Sequence, residues 1–135
     1  MIIGAEELIQ RMNSSGAAFD PETIRAVDKV YPVRISDYYF SLIDWKDPTH
    51  CPIYRQCIPD GLELEDSQKE DPLNEFRYEV SPFLVHKYYS RAAFFCSNIC
   101  RMNCRNCTRK NTVMSNRIAD KTALAPAVAY IKAHP

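Results

Sequence analysis

The run Cys100-Arg-Met-Asn-Cys104-Arg-Asn-Cys107 places three cysteines in a C-x3-C-x2-C pattern near the end of a chain of 135 residues. A short apolar stretch, residues 92–96, precedes the run, and we predict that it forms a buried strand. Fully ligated clusters use four cysteines, so three thiolates on one loop can hold three irons of a [4Fe-4S] cluster and leave the fourth iron open. The pattern therefore favours a cluster loop at which a small molecule could bind and accept an electron.

Zinc and disulfides are the two alternatives for these cysteines. A zinc site usually closes with four N or S ligands, and Cys96 could be the fourth, but the pair of short C-x2-C hooks is missing. Disulfides are less favoured, because the N-terminal residues do not form a secretory signal and six cysteines in 135 residues are sparse for a stapled secreted domain. We expect Cys51, Cys57 and Cys96 to be ordinary buried or half-buried thiols.

The composition agrees with a soluble cytoplasmic protein. Seventeen basic and 17 acidic residues give zero net charge, which predicts no steering toward nucleic acid or an acidic membrane. No apolar run approaches the roughly 20 residues of a membrane span. We therefore expect neither nucleic acid nor membrane as a partner.

Three parts follow one another along the chain, and the first, residues 1–47, is predicted to be helical. Residues 6–12 form a weak helix, and Asp20-Pro21 starts a second helix with an N-cap residue followed by proline. Ser36 can cap a third helix that runs until Asp47-Pro48. One apolar face of the second helix has three members, Ile24, Val27 and Val30.

The second part, residues 48–90, is a connecting segment that five prolines break into short pieces. Its acidic run, residues 63–71, is predicted to be a solvated surface. The third part, residues 91–135, contains the strand, the cysteine run and a last helix with Pro126 near its first turn. An apolar stripe on that helix is expected to pack against a sheet, and it consists of Leu124, Val128 and Ile131.

Residues 100–110, which end in Cys107-Thr-Arg-Lys, resemble the cluster loop of radical S-adenosylmethionine enzymes and, more closely, that of the lysine 2,3-aminomutase family. Residues 129–135 are similar to the family's first barrel helix. Further short segments are similar to the family's N-terminal part and occur in the same order, namely residues 31–36, 38–44, 55–59, 70–75 and 86–88.

The resemblance implies an α/β fold, with a helical N-terminal segment followed by the first strand–loop–helix of an incomplete, truncated β/α barrel. A complete barrel needs about 250 residues, so we expect an N-terminal fragment. The family's glycine-rich segment for S-adenosylmethionine and its Schiff-base lysine are not found in these residues. Such a chain is a gene fragment, a truncated paralogue or one half of a split protein, and in the last case a complementary C-terminal polypeptide is its partner. Pyridoxal phosphate is expected to bind only together with the missing C-terminal part.

The resemblance also implies site residues, although it assigns no catalytic residue to this chain. Arg109 matches the position that holds the carboxylate of the substrate, and Asn106 lies where the family contacts the adenine of S-adenosylmethionine. The cluster ligands of the family match Cys100, Cys104 and Cys107. The contacts to pyridoxal phosphate match Lys87, Tyr88 and Arg91, where Lys87 replaces the usual arginine and bidentate pairing is lost.

Two functional classes follow. In the first, the chain is part of an isomerase that moves an amino group between adjacent carbons of a lysine-like amino acid, with lysine, glutamate or a protein-bound lysine as the substrate. In the second, it is a non-catalytic metal-binding or interaction module, or a degenerate fragment without activity. Assembly into a homo-oligomer is compatible with both.

Neither the histidines nor the tryptophan is expected to have a role in chemistry. None of His50, His86 and His134 has a second ligand at metal spacing, so each is predicted to be structural or exposed. Trp45 is predicted to serve packing.

Overall fold

The computed structural model describes residues 1–65, 71–110 and 119–135. Within these ranges the chain forms two compact units. The first contains residues 1–65 and 100–110, and the second contains residues 71–99 and 119–135. The cysteine run therefore packs with the N-terminal helices.

The first two helices of the first unit begin where the sequence predicts. Helix α1 spans Ala5–Ser15 and ends at Gly16, whose φ of 74° is readily adopted by glycine. Helix α2 spans Pro21–Val30, and the Asp20 carboxylate accepts hydrogen bonds from the backbone N–H groups of Glu22 and Thr23, both at 3.1 Å. Local capping chemistry is therefore sufficient to fix the start of α2.

The third predicted helix starts correctly and ends early. Two short strands, β1 (Ile2–Ile3) and β2 (Ile35–Ser36), pair antiparallel, and α3 spans Asp37–Ser41. The Ser36 hydroxyl accepts from the backbone N–H of Tyr39 at 3.3 Å, as predicted. The predicted end at Asp47-Pro48 is wrong, because the N–H groups of Leu42 and Ile43 bond to carbonyls three residues back and tighten the helix into a final turn.

The core of the first unit confirms part of the predicted apolar pattern. Ile24 and Val27 are buried, whereas Val30, the last residue of α2 on the same apolar face, is 50% exposed. Cys51 and Cys57 are buried, as predicted. The fourth helix of the first unit, α4, spans Pro52–Cys57, and a 3-10 turn follows at Gly61–Leu64.

Trp45 packs in this core, as predicted. Its ring lies 5.1 Å from the ring of Phe40 and 6.1 Å from that of Tyr54. Met102, from the cysteine run, also packs against the core. The run is therefore attached to the first unit by apolar as well as polar contacts.

The second unit is built around a three-stranded antiparallel sheet. A 3-10 turn at Phe76–Tyr78 leads into the strands, which follow in the order β3 (Glu79–Ser81), β4 (Leu84–Tyr88) and β5 (Arg91–Phe94). The strand predicted over residues 92–96 exists as β5, but its predicted burial is wrong. Within the described sheet β5 is an edge strand bonded to β4 alone, and its residues are mostly exposed. Cys96, beyond the end of β5, is exposed rather than buried or half-buried.

The last helix, α5, spans Lys121–Ala133 and has Pro126 in its interior. Its predicted apolar stripe is not buried, because the helix packs its alanine face inward instead. Ala123 and Ala127 are 3% and 2% exposed. The predicted stripe is 40–49% exposed and comprises Leu124, Val128 and Ile131.

The described residues combine helices with two small antiparallel sheets, which agrees with a mixed α/β class. The strands described form no closed barrel. No helix in the described ranges has the length and apolar character needed to cross a membrane.

Candidate metal centre

The three thiols of the cysteine run lie on one compact loop. Each of Cys100, Cys104 and Cys107 is partly buried. The backbone N–H of Cys107 donates to the Cys104 carbonyl at 3.1 Å, and that of Lys110 donates to the Cys107 carbonyl at 3.2 Å. These two turns bend the second half of the loop. We call residues 100–110 the cysteine loop.

The segment before β2 holds the first half of the cysteine loop. The backbone N–H of Asn103 donates to the Arg34 carbonyl at 3.2 Å, and the Asn103 side-chain amide donates to the Pro32 carbonyl at 2.8 Å. In return, the Arg34 guanidinium donates to the Cys100 carbonyl at 3.3 Å. Three hydrogen bonds thus join segments almost 70 residues apart.

Helix α4 holds the centre of the loop through Gln56. The Gln56 carbonyl accepts from the backbone N–H of Arg105 at 2.8 Å. Its side-chain Nε2 lies 3.2 Å from Cys104 Sγ, within hydrogen-bond distance for sulfur. Gln56 therefore contacts the central cysteine and the residue after it.

A buried ion-pair group fixes the second half of the loop. Glu63 Oε2 lies 3.1 Å from a guanidinium nitrogen of Arg105 and 2.7 Å from Lys110 Nζ. The side chains of Glu63, Arg105 and Lys110 are 10%, 5% and 14% exposed. Arg105 also donates to the Tyr31 carbonyl at 3.1 Å, and Lys110 Nζ lies 3.6 Å from the centre of the Tyr31 ring.

Glu63 corrects the prediction that residues 63–71 form a solvated surface. Its carboxylate is buried because two cations from the cysteine loop surround it, and it also closes a capping box with Asp60. Residues 66–70 of that run lie outside the described residues. The spacing of Asp60 and Glu63 fits a capping box, and this sequence signal could have predicted that the Glu63 side chain is held by the backbone.

Cys57, next to Gln56, is a buried packing residue. Burial, together with the nearby Cys104, raises the pKa of the Cys57 thiol to about 12. A thiol with such a raised pKa is protonated at neutral pH, and Cys57 packs in the core of the first unit.

The donor set and charge of the loop fit an iron–sulfur cluster. A cluster held by thiolates is anionic, and nearby cations and N–H donors stabilise it. The charges of Arg105 and Lys110 exceed that of Glu63 by one positive charge. Moreover, the buried Nη1 of Arg105 has no hydrogen-bond partner among the described residues, so one donor next to Cys104 in the chain is unused.

The thiols are not arranged as metal ligands in the described chain. Across residues 1–65, 71–110 and 119–135, no group of three or more His, Cys, Asp or Glu side chains could hold a metal ion. The Cys100 thiol instead donates to the Met102 carbonyl at 2.8 Å. Ligation would therefore require this thiol to lose its proton and turn away from that carbonyl.

The other predicted residues fall into two places. Asn106 and Arg109 belong to the cysteine loop, where Asn106 is exposed and Arg109 is half-buried. Lys87, Tyr88 and Arg91 belong to the β4–β5 hairpin of the second unit. Their roles in binding S-adenosylmethionine, substrate and pyridoxal phosphate remain predictions.

The hairpin residues gather around one aromatic ring. The guanidinium carbon of Arg91 lies 4.6 Å from the centre of the Tyr88 ring, and Lys87 Nζ lies 5.7 Å from it. Lys87 Nζ also donates to the Leu73 carbonyl at 2.6 Å. Two cations beside a phenol give this turn the charge that suits a phosphate.

The histidines contact side chains within their own units. His86 Nδ1 lies 2.9 Å from the Tyr130 hydroxyl, and the rings of Tyr130 and His134 stack at 4.0 Å. In the first unit, exposed His50 lies 2.8 Å from the Asp47 carboxylate.

Sequence comparison relates this chain to one group of enzymes. No protein-family model matches it. It is 37% identical over 127 residues to the L-lysine 2,3-aminomutase of Methanococcus maripaludis, covering 89% of this chain and 29% of that protein. It is 36% identical over 121 residues to the L-lysine 2,3-aminomutase of Bacillus subtilis, covering 86% and 25%. A putative L-lysine 2,3-aminomutase of Aquifex aeolicus is 35% identical over 117 residues, covering 84% and 31%.

The chain spans about a quarter to a third of the length of these curated relatives. The match covers more than four fifths of this chain in each of the three comparisons. Over the part that it spans, the chain belongs to the lysine 2,3-aminomutase family.

Proposed function

We propose that this chain is the cluster-binding part of a radical S-adenosylmethionine, pyridoxal-phosphate-dependent amino acid 2,3-aminomutase. The observation that carries the proposal is the cysteine loop, in which a C-x3-C-x2-C set of partly buried thiols is held by helices of the same unit. Its relation to enzymes named L-lysine 2,3-aminomutase supports the same reading. In this proposal the substrate is a lysine-like amino acid.

Each residue of the proposed site binds one part of the cofactors or of the substrate. Cys100, Cys104 and Cys107 would hold a [4Fe-4S] cluster through three of its irons, and Asn106 would contact the S-adenosylmethionine bound to that cluster. Arg109 pairs with the carboxylate of the amino acid. When bound, the cluster with S-adenosylmethionine supplies one-electron chemistry, and pyridoxal phosphate supplies the conjugation that stabilises an unpaired electron.

The hairpin at β4–β5 is the proposed site for the phosphate of pyridoxal phosphate. Arg91 can present two N–H groups to the phosphate oxygens, and Lys87 adds a point charge. The ring of Tyr88 contacts both cations. In the proposed enzyme, β5 becomes the first strand of a β/α barrel.

The proposed enzyme requires a further C-terminal part. Because the chain spans about a quarter to a third of its relatives, a complementary C-terminal segment would supply the Schiff-base lysine and the rest of the barrel. A homo-oligomer of the completed enzyme is compatible with this proposal.

Anaerobic reconstitution with iron and sulfide tests the proposal. We expect the reduced chain to give a [4Fe-4S] EPR signal that changes when S-adenosylmethionine is added. Changing Cys100, Cys104 or Cys107 to Ala should abolish the signal. Cys96→Ala, which alters an exposed cysteine, is the matched control and should leave it intact. Failure to form a cluster, or binding of zinc in its place, would overturn the proposal.

A further inference from the structure

We propose that Gln56 is a positioning residue for the cluster, whose side-chain amide bonds the sulfur of the central ligand, Cys104, and raises the reduction potential. This inference rests on the proposed function, because it requires a cluster on the cysteine loop. It adds a residue outside the loop, from helix α4, to the machinery of the site.

Gln56 forms hydrogen bonds with two consecutive residues of the cysteine loop, Cys104 and Arg105. Its backbone carbonyl accepts from the N–H of Arg105 at 2.8 Å, while its Nε2 lies 3.2 Å from Cys104 Sγ. The first contact fixes the distance between the loop and the end of α4. The second directs one side-chain donor at the central sulfur, so the position of that sulfur depends on α4.

Tyr39 contacts the other end of the Gln56 amide. The Tyr39 hydroxyl lies 3.3 Å from Gln56 Oε1 and donates to it. The backbone N–H of Tyr39 is itself bonded to the Ser36 hydroxyl at 3.3 Å, where α3 begins. With Oε1 engaged in this way, Nε2 is the end of the amide that faces Cys104.

This orientation matters once Cys104 is a ligand. A metal-bound cysteine is a thiolate, which carries no proton and can only accept hydrogen bonds. An amide N–H satisfies it, whereas a carbonyl oxygen in the same place would face an anionic sulfur. The contacts from Ser36 through Tyr39 to Gln56 therefore hold an N–H donor beside the sulfur of Cys104.

Hydrogen bonds to the sulfurs are among the factors that set the potential of an iron–sulfur cluster. An N–H donor withdraws electron density from the sulfur and stabilises the more negative, reduced cluster more than the oxidised one. Outer-shell partners of this kind also orient the ligand. Gln56 should therefore make the cluster easier to reduce.

Cys100 differs from Cys104 in the source of its contacts. Its sulfur lies 3.4 Å from the backbone N–H of Met102 and donates to the Met102 carbonyl, both within the cysteine loop. The contact of Cys104 comes from α4. A substitution in α4 should therefore affect the cluster through its contact with Cys104.

A redox titration followed by EPR on the reconstituted chain tests this inference. Gln56→Met keeps the length of the side chain and the backbone carbonyl but removes the donor, and we expect its midpoint potential to shift to a more negative value. Tyr39→Phe releases the amide without removing it, and we expect a smaller shift in the same direction. The matched controls are Gln10→Met, at an exposed position of α1, and Tyr38→Phe, at a residue that is 70% exposed, and neither should shift the potential.

The outcomes separate the two proposals. If the wild-type chain forms no cluster, the proposed function fails and the role of Gln56 falls with it. If wild type and Gln56→Met both form the cluster and share one midpoint potential, the role of Gln56 alone is overturned. Should Gln56→Met fail to fold, an unchanged potential in Tyr39→Phe would overturn it instead.

Discussion

The cysteine loop and helix α5 are both held in the fold, but by different kinds of contact. The loop receives hydrogen bonds and ion pairs from residues 42 to 74 positions away in the chain, including Glu63 and Gln56. Helix α5 buries a narrow alanine face and leaves three larger apolar residues 40–49% exposed. The loop is therefore specified by polar partners, whereas α5 retains apolar surface that the described residues do not cover.

This difference predicts which substitutions should lower the stability of each region. When one partner of an ion pair that is nine-tenths buried is removed, the charge of the other partner is left uncompensated. An exposed apolar side chain contributes little, since the free energy of burial requires area to be removed from water. Substitutions in the two regions should therefore separate into large and small effects.

The largest effect is expected from Glu63→Gln, which leaves Arg105 and Lys110 without their carboxylate. Breaking a buried ion pair on one side costs about 3–5 kcal/mol. Urea unfolding followed by the fluorescence of Trp45, the single tryptophan of the chain, measures the loss in the first unit. Glu65→Gln, at an exposed position two residues later, is the control. Equal midpoints for the two variants would contradict the anchoring of the loop by Glu63.

A medium effect is expected in α5 from Ala127→Asp compared with Val128→Asp. Ala127 is 2% exposed and Val128 is 40% exposed, so the same carboxylate is buried in one variant and solvated in the other. We expect a loss of about 2–3 kcal/mol for Ala127→Asp and within about 0.5 kcal/mol for Val128→Asp. Hydrogen exchange across residues 121–133 reports the local stability. The reverse ranking would show that the helix buries its larger apolar residues.

The smallest effect is expected at the start of α2, from Asp20→Ala. The hydroxyl of Thr23 and the backbone N–H of Glu22 hold the pKa of the Asp20 carboxyl below its usual value. The stabilisation is therefore present above the ordinary aspartate pKa and is lost as the pH falls through the lowered one. Urea unfolding at pH 7 should show a smaller loss than for Glu63→Gln and Ala127→Asp, and the difference from wild type should shrink in acid. Asn13→Ala, on the exposed face of α1, controls for helix propensity.

Features with a local cause could be predicted from the sequence. Asp20 and Ser36 cap helices because each lies within three residues of the N–H group it accepts from. The cysteine spacing marked the loop without any knowledge of its partners. In these cases the residues that determine the structure are adjacent in the chain.

Features with a distant cause could not be predicted in this way. Glu63 was assigned to a solvated surface because its partners lie 42 and 47 residues away. Gln56 carried no signal for a contact with Cys104, 48 residues on. The stripe on α5 was assigned to a sheet by periodicity, but periodicity does not say whether alanine or the larger residues face the neighbouring element.

The most direct test of the central claim, that the cysteine loop holds a cluster with one open iron, is 57Fe Mössbauer spectroscopy. The chain would be reconstituted anaerobically and measured before and after S-adenosylmethionine is added. We predict a [4Fe-4S] spectrum in which one iron, the iron without a cysteine ligand, changes its parameters on addition while the other three do not. Absence of a cluster, or four irons that all remain unchanged, would contradict the account.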